Sequence, residues 1–209
     1  MTDDDKKIPT KSTEEKSSFD PDEYDDIKVF GNEIYFHTDV DTDSVCYLFK
    51  LLREVERDLI VKSTEVPGYK PEIRLYIHSN GGDMFAGFGA HDQLKQMRIP
   101  VTTIADGICA SAATFILMGG HKRLIKKRSY VLIHQLSSQS WGKFNDMKEE
   151  VKNCEKFMHM AREMYEEHCD IPEKKFKTFM KKDVYIDAKE CIKWKIVDGI
   201  LDPAPLIKF

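Results

Sequence analysis

The stretch Ile73-Arg74-Leu75-Tyr76-Ile77-His78-Ser79-Asn80-Gly81-Gly82-Asp83 decides the fold. A short apolar run that ends in a Ser-Asn-Gly-Gly cluster is a strand feeding a tight turn, and a helical pattern continues from it towards Met97. Pro100 closes that helix. Val101 to Ala105 supplies the next strand, Gly107 introduces a helix rich in small residues from Ala110 to Met118, and Arg123 to His134 contains a further strand. Upstream, Ile34-Tyr35-Phe36 predicts a first strand. Val45, Leu48, Leu52, Val55 and Leu59 then recur at steps of three and four, which predicts a helix capped near Asp43 or Ser44. Strands alternating with helices define an α/β fold with parallel strands, in which function collects at the strands' carboxyl ends. Gly81-Gly82 and His134 both lie at such ends.

The chain beyond Trp141 has a different texture. Phe144, Met147, Val151, Cys154, Met158, Ala161 and Tyr165 are spaced alternately by three and four, the seam of a long helix that seeks either a core or a partner. Asp170 and Pro172 open a Lys-rich helix, and Ala188 to Trp194 a last one before Ile196-Val197.

Composition narrows the function class. Of 209 residues 41% are hydrophobic and 33% charged, as expected of one globular domain. No window approaches the roughly 18 consecutive apolar residues of a membrane span, and Met1 opens onto an Asp run instead of a signal segment, so the expectation is a cytoplasmic protein with no membrane partner. Residues 1–26 hold ten acidic side chains against four lysines, a net −6, and are too poor in apolar groups to offset the cost of ordering them. They are expected to form a disordered acidic tail ahead of a single domain at 27–209. Without the tail the chain is close to neutral, which gives no reason to expect nucleic acid. Cys46, Cys109, Cys154, Cys169 and Cys191 form no CxxC pair, which argues against a zinc cluster or a disulfide framework.

Three groups are candidates for chemistry. His134 ends the run Tyr130-Val131-Leu132-Ile133, where a base is held rigidly yet meets substrate. Ser111 sits among small neighbours at a helix start, where unpaired backbone N–H groups can receive an oxyanion. Gly81-Gly82 lets the backbone approach a ligand, although the following Asp83-Met84 excludes a phosphate-binding P-loop. A carboxylate to orient His134 has six candidates: Asp146, Asp170, Asp183, Asp187, Asp198 and Asp202. Spacing does not choose among them.

The segments Ile73 to Gly82 with Ala86-Gly87, Gly107 to Gly119, Val131 to Leu136, Asp183 to Glu190 and Ile196 to Leu201 together resemble, in order, the signatures of the Clp protease proteolytic subunit family. The resemblance implies a ClpP/crotonase-like core of repeated ββα units with an inserted long handle helix at about 144–169. It also implies Ser111 as nucleophile, His134 as base and Asp183 as the orienting carboxylate. The backbone N–H groups of Gly82 and Ala112 would form the oxyanion hole. Substrate would meet Gly81, Gln135, Leu136 and Ser137, with Leu136 to Gly142 as an edge strand for an extended peptide. By the same resemblance no metal or cofactor is needed. The chain would assemble into heptameric rings stacked as a tetradecamer through the handle, take polypeptide substrates and pair with a Clp-type ATPase unfoldase.

The sequence also departs from the family pattern. Asn80 and Leu136 stand where prolines are usual in that family, so one turn loses a fixed φ and is expected to be organised by the Asn80 side chain, while the other segment gains an N–H. Ala112 replaces a common methionine, and Arg74 enters a docking pocket to which Tyr76 and Ile104 are suited. Two other function classes fit the same core: a catalytically silent ring component, and a crotonase-type enzyme acting on an acyl-CoA.

Overall fold

The computed structural model describes residues 26–203. The acidic-tail expectation therefore lies, but for Asp26, outside the described residues.

The described residues open with a hairpin that the sequence reading did not anticipate: β1 (Ile27–Phe30) turns at Gly31, φ +62°, into β2 (Glu33–Phe36), the expected strand extended by one residue. Helix α1 (Thr42–Glu65) is capped by Asp41, not by Asp43 or Ser44. The Asp41 carboxylate accepts from the Ser44 N–H at 2.7 Å, while the Ser44 hydroxyl accepts from the Asp41 N–H, a reciprocal cap. β3 (Ile73–Ser79), α2 (Met84–Lys95), β4 (Val101–Ala110) and α3 (Ala113–Gly119) follow. Next come β5 (Lys122–Ile125), β6 (Tyr130–Leu132), the 25-residue α4 (Phe144–His168), α5 (Glu173–Phe179), β7 (Tyr185–Asp187), α6 (Ala188–Lys193) and β8 (Gly199–Ile200). Ile196-Val197 is buried chain ahead of β8 and not part of a strand.

The main sheet runs β1-β2-β3-β4-β5-β8, antiparallel only at the first pair. β4 organises what happens at its end. Thr102 to Ala105 pair with β5, and Ile108 to Ala110 pair with β6, so one strand serves two neighbours in succession. The switch falls at Gly107, φ +84°, which is pressed so closely on the His78 ring that a Cβ would lie 2.4 Å from its Nδ1. The expected strand end at Ala105 and helix start at Ala110 are thereby corrected, because β4 runs to Ala110 and α3 begins at Ala113. Strand continues to Ala110 because β6 is there to pair with it, and the small residues serve a crowded strand end before they serve a helix. β7 then joins β6 antiparallel, Leu132 opposite Tyr185.

Apolar residues from Ile27 to Val197 form one connected core. α1 contributes Leu48, Leu52, Val55 and Leu59 as its stripe predicted, and every residue of α3 is buried. α4 differs. Ala161 and Tyr165 are buried, whereas Phe144, Met147 and Val151 are 65%, 41% and 60% exposed.

Candidate active site

Ser111 occupies the turn between β4 and α3. Its φ is +53°, a left-handed conformation that costs a residue with a Cβ and that persists only where the surroundings dictate it. The surroundings do so here. The Ser111 N–H donates to the Leu132 carbonyl at 2.9 Å, extending the β4–β6 ladder by one residue, and the Ser111 carbonyl accepts from the Thr114 N–H at 2.9 Å. Beneath it lies Gly81, φ +100°, where a Cβ would come within 2.5 Å of the Ser111 Cβ. Only glycine permits that approach.

The Gly81-Gly82 turn is fastened to the β2–α1 connection. Val40 N–H donates to Gly81 O at 2.8 Å and Asp83 N–H to Val40 O at 2.6 Å. A Cβ on Gly82, φ +144°, would strike the Val40 carbonyl. The Ser79 hydroxyl accepts from the Gly81 N–H at 3.1 Å, and Asp83 caps α2 by accepting from Ala86 N–H. Asn80 is exposed and makes no hydrogen bond among the described residues, so the turn without proline is organised by Ser79 and Val40 rather than by the Asn80 side chain. Among the described residues the N–H groups of Gly82 and Ala112 make no hydrogen bond.

Ser111, Ala112, Gly82, His134, Gln135, Leu136 and Ser137 all line one cavity of about 110 Å³. The walls that the motif reading missed come from the later helices: Met158, Ala161 and Tyr165 of α4, and Phe176 of α5 with Met180 just after it. Three of these belong to the heptad stripe, and Phe176 and Met180 are one helical turn apart, but periodicity alone does not tell a core face from a pocket wall. Arg162 stands at the same cavity, its guanidinium bound to Glu166 at 2.7 Å and Glu173 at 2.5 Å. These two carboxylates hold its pKa above the usual arginine value.

Asp183 is not in the cavity wall. It is exposed, just before β7. The β6–β7 register, continued two residues past Leu132 and Tyr185, would set Asp183 opposite His134, but the ladder stops first. Among the described residues no hydrogen bond joins Ser111 to His134 or His134 to Asp183. Gly81 lies under Ser111 and does not line the cavity.

The segment from Leu136 to Gly142 is not a strand, contrary to the expectation. Among the described residues no strand pairs with it, and the Leu136 N–H, absent from a proline, donates to Met158 Sδ at 3.1 Å. Gln135, Leu136, Met158 and Met180 are shared between the cavity and a second groove of about 580 Å³, which continues along α4 past Met147, Val151 and Cys154. At the opposite end of β3, Arg74 is flanked by Glu33 at 3.7 Å and Glu72 at 3.6 Å. Tyr35 and Tyr76 stack beside it at 4.5 Å, and both of their hydroxyls donate to Glu33. Burial and the Glu33 carboxylate push the Tyr35 hydroxyl up to about 12.

Among the described residues no cluster of His, Cys, Asp and Glu could hold a metal ion, and no helix is long and apolar enough to cross a membrane. Cys109, Cys169 and Cys191 are buried, and burial raises each thiol well above its ordinary pKa, which leaves them unreactive.

A strand that splits between two neighbours and ends in a strained serine against a glycine pair, with a long helix beside it, places the chain in the ClpP/crotonase-like fold class. A ClpP1 variant from Listeria monocytogenes superposes with a TM-score of 0.66 at 19% identity, over 80% of this chain and 89% of that one. An ATP-dependent Clp protease proteolytic subunit from Deinococcus radiodurans is 27% identical over 155 residues, 73% of this chain and 75% of the relative. The Clp protease family model matches residues 51–204, and the chain belongs to that family.

Proposed function

We propose that this chain is a serine-type endopeptidase subunit of the Clp family, hydrolysing peptide bonds of unfolded polypeptides through an acyl-enzyme. The observation that carries the reading is that Ser111 and His134 line one cavity with Gly82 and Ala112, whose N–H groups make no hydrogen bond among the described residues. His134 takes the Ser111 hydroxyl proton as Oγ attacks the carbonyl carbon, and the oxyanion settles between Gly82 and Ala112. The proton passes to the leaving amine, and water then releases the acyl group by the reverse sequence. Asp183 orients the imidazole once the β6–β7 ladder closes over the two missing residues.

The mouth formed by Gln135, Leu136 and Ser137 receives the peptide. The exposed half of α4 is the contact between stacked heptameric rings, which together form a tetradecameric chamber. The ring's outer face, where Tyr35, Tyr76 and Arg74 lie, meets a Clp-type ATPase, and the complex works in the cytoplasm. The open His134–Asp183 gap favours one competing reading, a silent ring component. Cleavage of a short fluorogenic peptide by the assembled protein separates the two. The proposal expects turnover that Ser111→Ala abolishes; turnover that survives Ser111→Ala contradicts it, and a wild-type ring with no turnover supports the silent component.

A further inference from the structure

The Ser111 carbonyl has a second donor besides the Thr114 N–H. The Thr114 hydroxyl lies 2.6 Å from it, and the Tyr165 hydroxyl, arriving from α4, lies 2.6 Å from Thr114 Oγ1. Thr114 is fully buried and Tyr165 nearly so, so water does not compete for either. The direction of the chain follows from counting protons. A carbonyl only accepts, so the single Thr114 hydroxyl proton goes to Ser111 O, and the Tyr165 proton must go to Thr114 Oγ1. Burial raises the Tyr165 pKa further above its already high value, which keeps that proton in place at any working pH. The Phe115 ring, 5.6 Å from that of Tyr165, packs against it in the core.

The carbonyl that receives this chain belongs to the peptide unit whose N–H is that of Ala112. A peptide unit is planar, so fixing where its C=O points fixes where its N–H points. The Ala112 donor and the turn that carries the Ser111 hydroxyl are therefore held from behind by side chains that do not themselves carry out the reaction.

We infer that Tyr165 and Thr114 are positioning residues for the oxyanion hole: the relay Tyr165 O–H to Thr114 O–H to Ser111 C=O aims the Ala112 N–H and stabilises the left-handed turn at Ser111. The inference rests on the serine-peptidase reading and goes beyond it, because it ties the nucleophile's turn to the helix assigned to ring contact. A displacement of α4 at Tyr165 would be felt at the oxyanion donor through two hydrogen bonds. An interaction that matters most when the oxyanion forms should appear in kcat and leave KM nearly untouched.

The test uses full-length Thr114→Val, Thr114→Ser, Tyr165→Phe and the Thr114→Val/Tyr165→Phe pair, each taken from the fraction with the native mass of the wild-type assembly. Two quantities are read per active site: kcat and KM for a short fluorogenic peptide, and the rate at which a fluorophosphonate labels Ser111. Thr114→Val is expected to lower kcat and the labelling rate about tenfold with KM within about twofold, the size of one well-placed buried hydrogen bond. Thr114→Ser should restore most of the loss. Tyr165→Phe should lower both about threefold, and the pair should be no worse than Thr114→Val alone, since both act through one carbonyl. Unchanged kcat and labelling in Thr114→Val, or a pair whose losses simply multiply, would overturn the relay. Wild-type protein that neither labels nor cleaves would overturn the peptidase reading and the relay with it. Labelling intact in wild type but insensitive to these variants would sink the relay alone.

Discussion

The turn at the end of β4 and the long helix α4 face each other across the cavity, yet they are built on opposite terms. At the turn nearly everything is satisfied within the chain: α3 is wholly buried, Gly81 is packed against the Ser111 Cβ, and the strained serine is held by bonds to β6 and α3. α4 buries two of its 25 residues and leaves the apolar groups of its first two turns in water. The difference teaches where one chain is self-sufficient and where it is not. The nucleophile's turn is fixed by local packing, whereas an exposed stripe of Phe144, Met147 and Val151 is stable in solution only if something covers it.

The largest expected effect lies on the self-sufficient side. Gly81→Ala must force a Cβ into Ser111 from a left-handed backbone, so it should reduce peptide cleavage by more than about 100-fold and lower stability by about 2 to 4 kcal/mol, measured by thermal melting. A variant with wild-type activity would show that the approach of Gly81 to Ser111 is not needed. His134→Ala should be of the same order in kcat while leaving the melting temperature within a few degrees, since its side chain makes no hydrogen bond among the described residues.

On the dependent side the effect should be on assembly. Val151→Asp puts a charge on the exposed apolar stripe, where a single chain pays nothing for it. Circular dichroism should be unchanged, and native mass spectrometry should show the assembly falling to half its mass. An unaffected native mass would mean that α4 is covered by something other than another ring.

The smallest effect concerns the scaffold under both regions. Glu56 of α1 is buried. It accepts from the N–H groups of Arg98 at 2.6 Å and Ile99 at 3.3 Å, and from Arg53 at 2.9 Å, tying α1 to the approach of β4. Burial works against its charge, but the Arg53 guanidinium and these backbone donors outweigh it and hold the carboxyl below its usual pKa. A depressed pKa contributes stability above the unfolded value, near 4.3, and loses it as pH falls through the folded value. Glu56→Gln should therefore cost about 1 to 3 kcal/mol in urea melts at pH 7, with the gap to wild type closing towards pH 3. A gap that stays constant with pH would show that shape and not charge is what Glu56 supplies.

Much of this was legible in the sequence because it is written in short-range chemistry. The Ser-Asn-Gly-Gly cluster marked the turn, small residues marked the crowded approach to Ser111, and the stripe gave α4 within a residue at its far end. What was not legible depends on neighbours far along the chain. β4 runs on past Gly107 only because β6, some twenty residues later, pairs with it. Leu136 fails to begin a strand because its N–H goes to Met158 Sδ and among the described residues no strand pairs with it. Phe176 and Tyr165 are cavity walls only because α4 and α5 close over the sheet end. The role of Thr114 was hidden among Ala-Ala-Thr-Phe, where a hydroxyl has no visible partner until α4 brings Tyr165.

The central claim is that Ser111 is an activated nucleophile, and the most direct measurement is intact-mass spectrometry of wild type and Ser111→Ala after fluorophosphonate treatment, on the assembled fraction. A single adduct on wild type that is absent from Ser111→Ala is the predicted result. A well-formed assembly that takes up no adduct, or one whose adduct persists in Ser111→Ala, would contradict it.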